Sequence, residues 1–125
     1  LSSPLSRKLS KRMDTKSLKS KESEIQNSIC EYLQMRGRFF FRLNNIPAFN
    51  RSEGGGFTMR RLPKFTPRGL PDIIVVAGGA FIALEVKNAT GRQSPDQKII
   101  EQDIKKHGGK YFVVRSIEDV QAIGL

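Results

Sequence analysis

Three residues, Asp72, Glu85 and Lys87, have the types and spacing of a centre that could break phosphodiester bonds. In a strand, side chains two apart leave the same face. Glu85 and Lys87 therefore stand together, while Ile82, Leu84 and Val86 face the other way. Asp72 opens the preceding apolar run, and the Gly78-Gly79 pair between the runs is a tight-turn signal that would set it beside Glu85 across a hairpin. Two carboxylates from neighbouring strands, with carbonyls nearby, make a hard oxygen site suited to Mg²⁺ or Mn²⁺. Such an ion stabilises charge on a phosphate and lowers the pKa of a bound water, which a lysine can orient or help deprotonate. The residue types also fit a structural pattern: a turn-ending aspartate after Pro71 and an ion pair at an exposed strand edge. An E-x-K pattern alone does not separate the two.

The elements that must position these residues are legible in outline. Ile25, Ile29 and Leu33, with Tyr32, recur at helical spacing over Lys21 to Met35, with Ser20 or Ser23 as N-cap and Gly37 as terminator. Arg38 to Leu43, dense in phenylalanine, reads as a first strand. From Asn44 to Arg68 come Pro47, Pro63, Pro67 and three consecutive glycines at 54–56, with no sustained period, so this stretch reads as a long loop of the functional or mobile kind. Asp72 to Ala77 and Ala80 to Lys87 are two antiparallel strands. Ser94-Pro95-Asp96-Gln97 combines an N-cap, a proline at the first helical position and a glutamine three residues after the cap. Ile99, Ile100 and Ile104 give that helix an apolar face, and Gly108-Gly109 ends it before a strand over Lys110 to Val114. Ser116 caps a last short helix reaching about Ile123. The order is helix, three strands, helix, strand, helix, an α/β arrangement.

With 125 residues the chain accommodates one domain of ordinary size, read over 20–125, after a basic, flexible tail over 1–19 that is too poor in apolar residues to fold. Met13 offers an internal start, so the residues before it need not be native; a basic presequence would have the same composition. No apolar run approaches a membrane span, and the lone Cys30 forms no internal disulfide, which suits a reducing, intracellular setting. The net charge of +10 points to a polyanion, with nucleic acid ahead of a membrane surface. The charge is concentrated in the tail and in residues 36–68, where eight basic residues face one acid and alternate with phenylalanines. Arg42, Arg60, Arg61, Lys64 and Arg68 are the candidate phosphate contacts. His107 reads as a cation at a helix C-terminus.

The full residue set resembles the VRR-NUC (virus-type replication-repair nuclease) family of the PD-(D/E)xK superfamily. It comprises Glu24 and Gln26 on the first helix, Asn44, Gly69-Leu70-Pro71-Asp72, Glu85-Val86-Lys87, and Ser94 with Gln97. The resemblance implies a restriction-endonuclease-like core of order α-β-β-β-α-β-α, a mixed central sheet flanked by helices. It implies that Asp72, Glu85 and the Val86 carbonyl bind Mg²⁺ or Mn²⁺, that Lys87 assists the water, and that Glu24 and Gln97 complete the site. Glu24 has Glu22 as a neighbour and, as an acid in the first turn, also suits the helix dipole, and Gln97 reads equally as a capping residue. Gly69 and Pro71 are read as aiming Asp72. Stand-alone members of this family resolve Holliday junctions as homodimers, so branched DNA and a second copy are the expected partners. Nucleases for flaps or duplex DNA, and a basic nucleic-acid-binding protein without catalysis, are the alternatives.

Overall fold

Apolar residues one helical turn apart drive Glu22–Met35 into helix α1, which buries Ile29 and Leu33 completely. Its N-cap is Lys21, whose side chain makes no capping bond. Ser23 lies inside the helix instead of capping it. The computed structural model describes residues 21–43, 49–51, 57–59 and 62–125, so Ser20, Asn44 and the expected tail lie outside the described residues.

After α1 come strand β1 (Phe39–Arg42), the short strands β2 (Phe49–Arg51) and β3 (Phe57–Met59), and the longer strands β4 (Ile73–Ala77) and β5 (Ala80–Val86). Helix α2 (Pro95–Lys106), strand β6 (Lys110–Val114) and helix α3 (Ile117–Ala122) complete the order. The main sheet runs β1-β4-β5-β6, with the first two pairings antiparallel and β5 parallel to β6. Helix α2 is the crossover that a parallel pair requires. This is the mixed α/β core expected from the sequence. The stretch read as an unstructured loop differs, because β2 and β3 pair antiparallel within it as a separate two-stranded sheet. Strands of three residues are too short to display a period, so pattern reading passes over them.

Two positive-φ glycines, Gly78 (φ 57°) and Gly79 (φ 78°), form the two-residue turn joining β4 to β5. That turn matches the natural strand twist and sets Ile73 opposite Leu84. Alternation then divides the sheet into two faces. Ile73, Val75, Ile82, Leu84, Val86 and Val114 pack with Ile29 and Leu33 of α1 and Val120 of α3. Each such burial stabilises the fold by about 1.5–3 kcal/mol. Half-buried Cys30 packs against this core, and burial raises its thiol pKa. Ile74, Ala83 and Tyr111 pack on the opposite face with Ile104 of α2.

Part of that second face is left open. Phe39, Val76 and Phe81 are consecutive cross-strand partners and are 67%, 38% and 43% exposed; Phe41 beside them is 44% exposed. No helix among the described residues is long and apolar enough to cross a membrane.

Candidate active site

Asp72 stands just before β4, where its backbone is held from both sides. Its N–H donates to the Leu84 carbonyl at 3.1 Å, and its carbonyl accepts the Leu43 N–H at 2.8 Å. The side chain is held too, with Oδ2 accepting the Val86 N–H at 2.8 Å. In a strand, one residue's N–H and C=O point to the same neighbour, so the Val86 carbonyl is directed toward the Asp72 side of β5.

Glu85 lies on the central strand β5, on the face it shares with Ala83 and Lys87, and is 1% exposed. That burial excludes an ion pair at an exposed edge. Gln97 Nε2 donates to Glu85 Oε1 at 2.8 Å, and Lys87 Nζ stands 3.6 Å from the same oxygen. The other oxygen, Oε2, is buried and has no hydrogen-bond partner. Burial, then repulsion by Asp72, push the Glu85 carboxyl up to about 8 against the opposing pull of Lys87. An orphaned, desolvated carboxylate oxygen beside a second carboxylate suits a divalent cation. Among the described residues no group of three or more Asp, Glu, His or Cys side chains gathers as a metal cage. Two carboxylates, a carbonyl and water would have to suffice.

Gln97 has the capping role and also reaches the Glu85 carboxylate. Its Oε1 accepts the Ser94 N–H at 2.8 Å, completing the capping box, while Nε2 reaches Glu85. The turn carrying Asp72 is seated on the same helix start. A Cβ on Gly69, whose φ is +83°, would lie 2.6 Å from the Asp96 carbonyl carbon and 2.8 Å from the Gln97 nitrogen. Only glycine fits this contact.

The acid on α1 is the main difference from the sequence reading. Glu24 is exposed, about 200° round the helix from Glu22, and its backbone carbonyl accepts the Ser28 hydroxyl on the outer face. Glu22 shares the sheet-facing stripe with Gln26 and Ile29. The position a Cβ would take on Gly91 is 2.6 Å from Glu22 Oε1 and 3.4 Å from Lys87 Cδ, so Glu22 approaches the lysine stem. Gln26, which had no assigned role, donates to the Asp72 carbonyl at 3.5 Å and accepts from Arg42 at 3.2 Å. A helical-wheel projection would have favoured Glu22, because the apolar residues define which side meets the sheet.

Arg115 was not foreseen. Its guanidinium donates to the Asn88 carbonyl and, at 2.8 Å, to the Gly91 carbonyl, tying down the loop that follows Lys87. Of the candidate phosphate contacts, Arg42 is exposed and also bonds Asn27 Oδ1 at 3.2 Å, while Lys64 and Arg68 are exposed. Arg60 and Arg61 lie outside the described residues. His107 is the C-cap of α2, its Nδ1 at 2.8 Å from the Asp103 carbonyl, far along the helix from Gln97.

No protein-family sequence model and no curated protein matches the chain. A solved structure titled "VRR_NUC domain" shares its fold, with a TM-score of 0.56 and 23% identity over 82% of this chain and 91% of that one.

Proposed function

We propose that this chain is a nuclease of the VRR-NUC type, a divalent-metal-dependent, structure-specific DNA endonuclease that resolves four-way junctions as a homodimer. The observation that carries the reading is the buried, unpartnered Oε2 of Glu85 beside Asp72, with Lys87 on the same face. The shared fold with the VRR_NUC domain structure supports it.

Asp72, Glu85 and the Val86 carbonyl would hold Mg²⁺ or Mn²⁺. When bound, that ion supplies charge stabilisation at the phosphate and an acidified water. Lys87 orients the attacking water, its ammonium anchored by Glu85. Gln97 fixes the Glu85 carboxylate, and Glu22 stands beside the Lys87 stem. Arg42, Lys64 and Arg68, with Arg60 and Arg61, contact DNA phosphates. The uncovered row of Phe39, Val76 and Phe81, with Phe41, supports self-association through that face, because contiguous apolar surface of this kind is characteristic of interfaces. A basic binding protein without catalysis is disfavoured. Two carboxylates facing a phosphate backbone repel it unless a cation intervenes.

The test is cleavage of labelled four-way junction, flap and plain duplex DNA in Mg²⁺, Mn²⁺ or EDTA, with sedimentation of the same protein. Metal-dependent cutting of junctions by a dimer is expected. Binding without cutting in any metal would sink the nuclease reading, and cutting of flaps but not junctions would sink the resolvase assignment. The same assay distinguishes the two helix acids. Glu22→Gln is expected to lower the cleavage rate about tenfold or more, and Glu24→Gln to leave it within about twofold, by the usual scale of outer groups that orient a metal site.

A further inference from the structure

Phe65 stands apart from every other residue of the fold. Its side chain is 101% exposed, and it alone among the described non-glycine residues has a positive φ, of 65°. A bulky residue in the left-handed region is disfavoured, and conformations of this kind concentrate where a ligand is held. Here the conformation buries nothing within the chain. The turn is nonetheless built, since the Thr66 N–H donates to the Pro63 carbonyl at 3.2 Å and prolines at 63 and 67 restrict the backbone on either side. Lys64 and Arg68, both exposed, lie one residue before Phe65 and three after it in the same loop.

We infer that Phe65 is a base-stacking residue, which takes the face of an unpaired nucleobase while Lys64 and Arg68 hold the neighbouring phosphates. This deepens the DNA-cleaving function proposed above and rests on it for the substrate class. The surroundings favour a base over a protein partner. An interface core gathers several apolar side chains, whereas between residues 62 and 68 Phe65 is the one exposed large apolar side chain and its exposed neighbours include two cations. A lone ring among positive charges is the arrangement that binds single-stranded nucleic acid. The loop is also within reach of the cleavage centre. It is seated on α2 through Gly69, and seven residues of chain hold Phe65 within about 25 Å of Asp72. A straight strand at about 3.4 Å per nucleotide covers that distance in about seven nucleotides.

The chain has no tryptophan, so Phe65→Trp creates a single fluorescent reporter at the proposed contact. The full chain carrying this change would be titrated in EDTA with branched DNA containing unpaired bases, and with a fully paired duplex of equal length. Binding would be followed in parallel by anisotropy of labelled DNA. Quenching that saturates with the anisotropy signal on branched DNA is expected. In unlabelled protein, Phe65→Ala and Phe65→Leu should weaken branched-DNA binding about tenfold, and Phe65→Trp should restore it, by the usual contribution of one base–aromatic stack. Binding without quenching, or wild-type affinity in the leucine variant, would overturn the inference. So would emission that changes with protein concentration alone, which would place a second copy over the ring. If quenching holds while no variant or wild type cleaves in any metal, the stacking role stands and the nuclease reading falls. Failure of the wild type to bind DNA at all would overturn both.

Discussion

Replacement of Asp72 by asparagine is expected to reduce the rate of DNA cleavage at least about a thousandfold. The loss corresponds to about 4 kcal/mol of transition-state stabilisation, the scale that a metal ion's charge supplies at a phosphoryl centre. Asparagine is the informative substitution because it keeps an oxygen for the Val86 N–H that Asp72 Oδ2 now accepts. Alanine would leave that donor unpaired in a partly buried place and cost about 1–2 kcal/mol of stability, mixing a folding defect with a chemical one. The asparagine variant should also bind DNA more tightly than wild type in EDTA, because one of two carboxylates facing the phosphates has been neutralised. Anisotropy in EDTA and single-turnover cleavage in Mg²⁺ check the two halves separately. Cleavage by the variant within about tenfold of wild type would remove Asp72 from the chemistry.

Glu85→Gln should abolish cleavage to a similar extent and yet stabilise the metal-free protein at alkaline pH. The Glu85 carboxyl keeps its proton to about pH 8 in the fold, against an ordinary value of 4.5. A raised acid favours the folded state fully below about 4.5. That advantage is lost as pH rises toward 8, because over this window the unfolded chain ionises and the folded one does not. The total is on the order of several kcal/mol for a side chain this buried. Glutamine carries no such proton and still offers Oε1 to Gln97 Nε2, so its unfolding midpoint in EDTA should be nearly flat from pH 5 to pH 8. At pH 8 it should exceed wild type by about 2 kcal/mol, as when a buried uncompensated charge is removed. Wild type at pH 8 should in turn gain stability from Mg²⁺ or Mn²⁺, and the glutamine variant should not. Thermal unfolding at two pH values, with and without cation, reads all of this. A wild-type midpoint insensitive to both pH and cation would contradict the assignment of Glu85 as a ligand.

What could be read from the sequence was what the chain specifies locally. Gly78-Gly79 determines the β4–β5 hairpin, and through it the pairing that brings Asp72 to Glu85, without help from distant residues. Ser94 and Gln97 form a capping box across four residues, and Ser116 caps α3 through the Asp119 N–H. These starts were legible because donor, acceptor and spacing sit in one short segment. The start of α1 was less so, since its cap is Lys21 with no side-chain bond to signal it. Glu22 and Glu24 share charge and helix turn, so only the packing of Ile29 and Leu33 against the sheet decides which one turns inward. Arg115 acts on a loop 24 residues away, a distance at which sequence spacing carries no information. The exposure of Phe39, Phe41 and Phe81 was not legible, because side-chain hydrophobicity does not tell a core face from an uncovered one.

The contact at Gly69 has a mechanical meaning for the centre it adjoins. The turn that delivers Asp72 rests backbone to backbone on the helix that delivers Gln97, with room for a hydrogen atom between them and nothing larger. Two carboxylates brought together from opposite strands of a hairpin are thus braced against a third element, and the thickness of the spacer is the smallest that the genetic code can write. An added methyl group would act as a shim. It would tilt the aspartate's turn away from the glutamine that steadies its partner, and so part the two carboxylates.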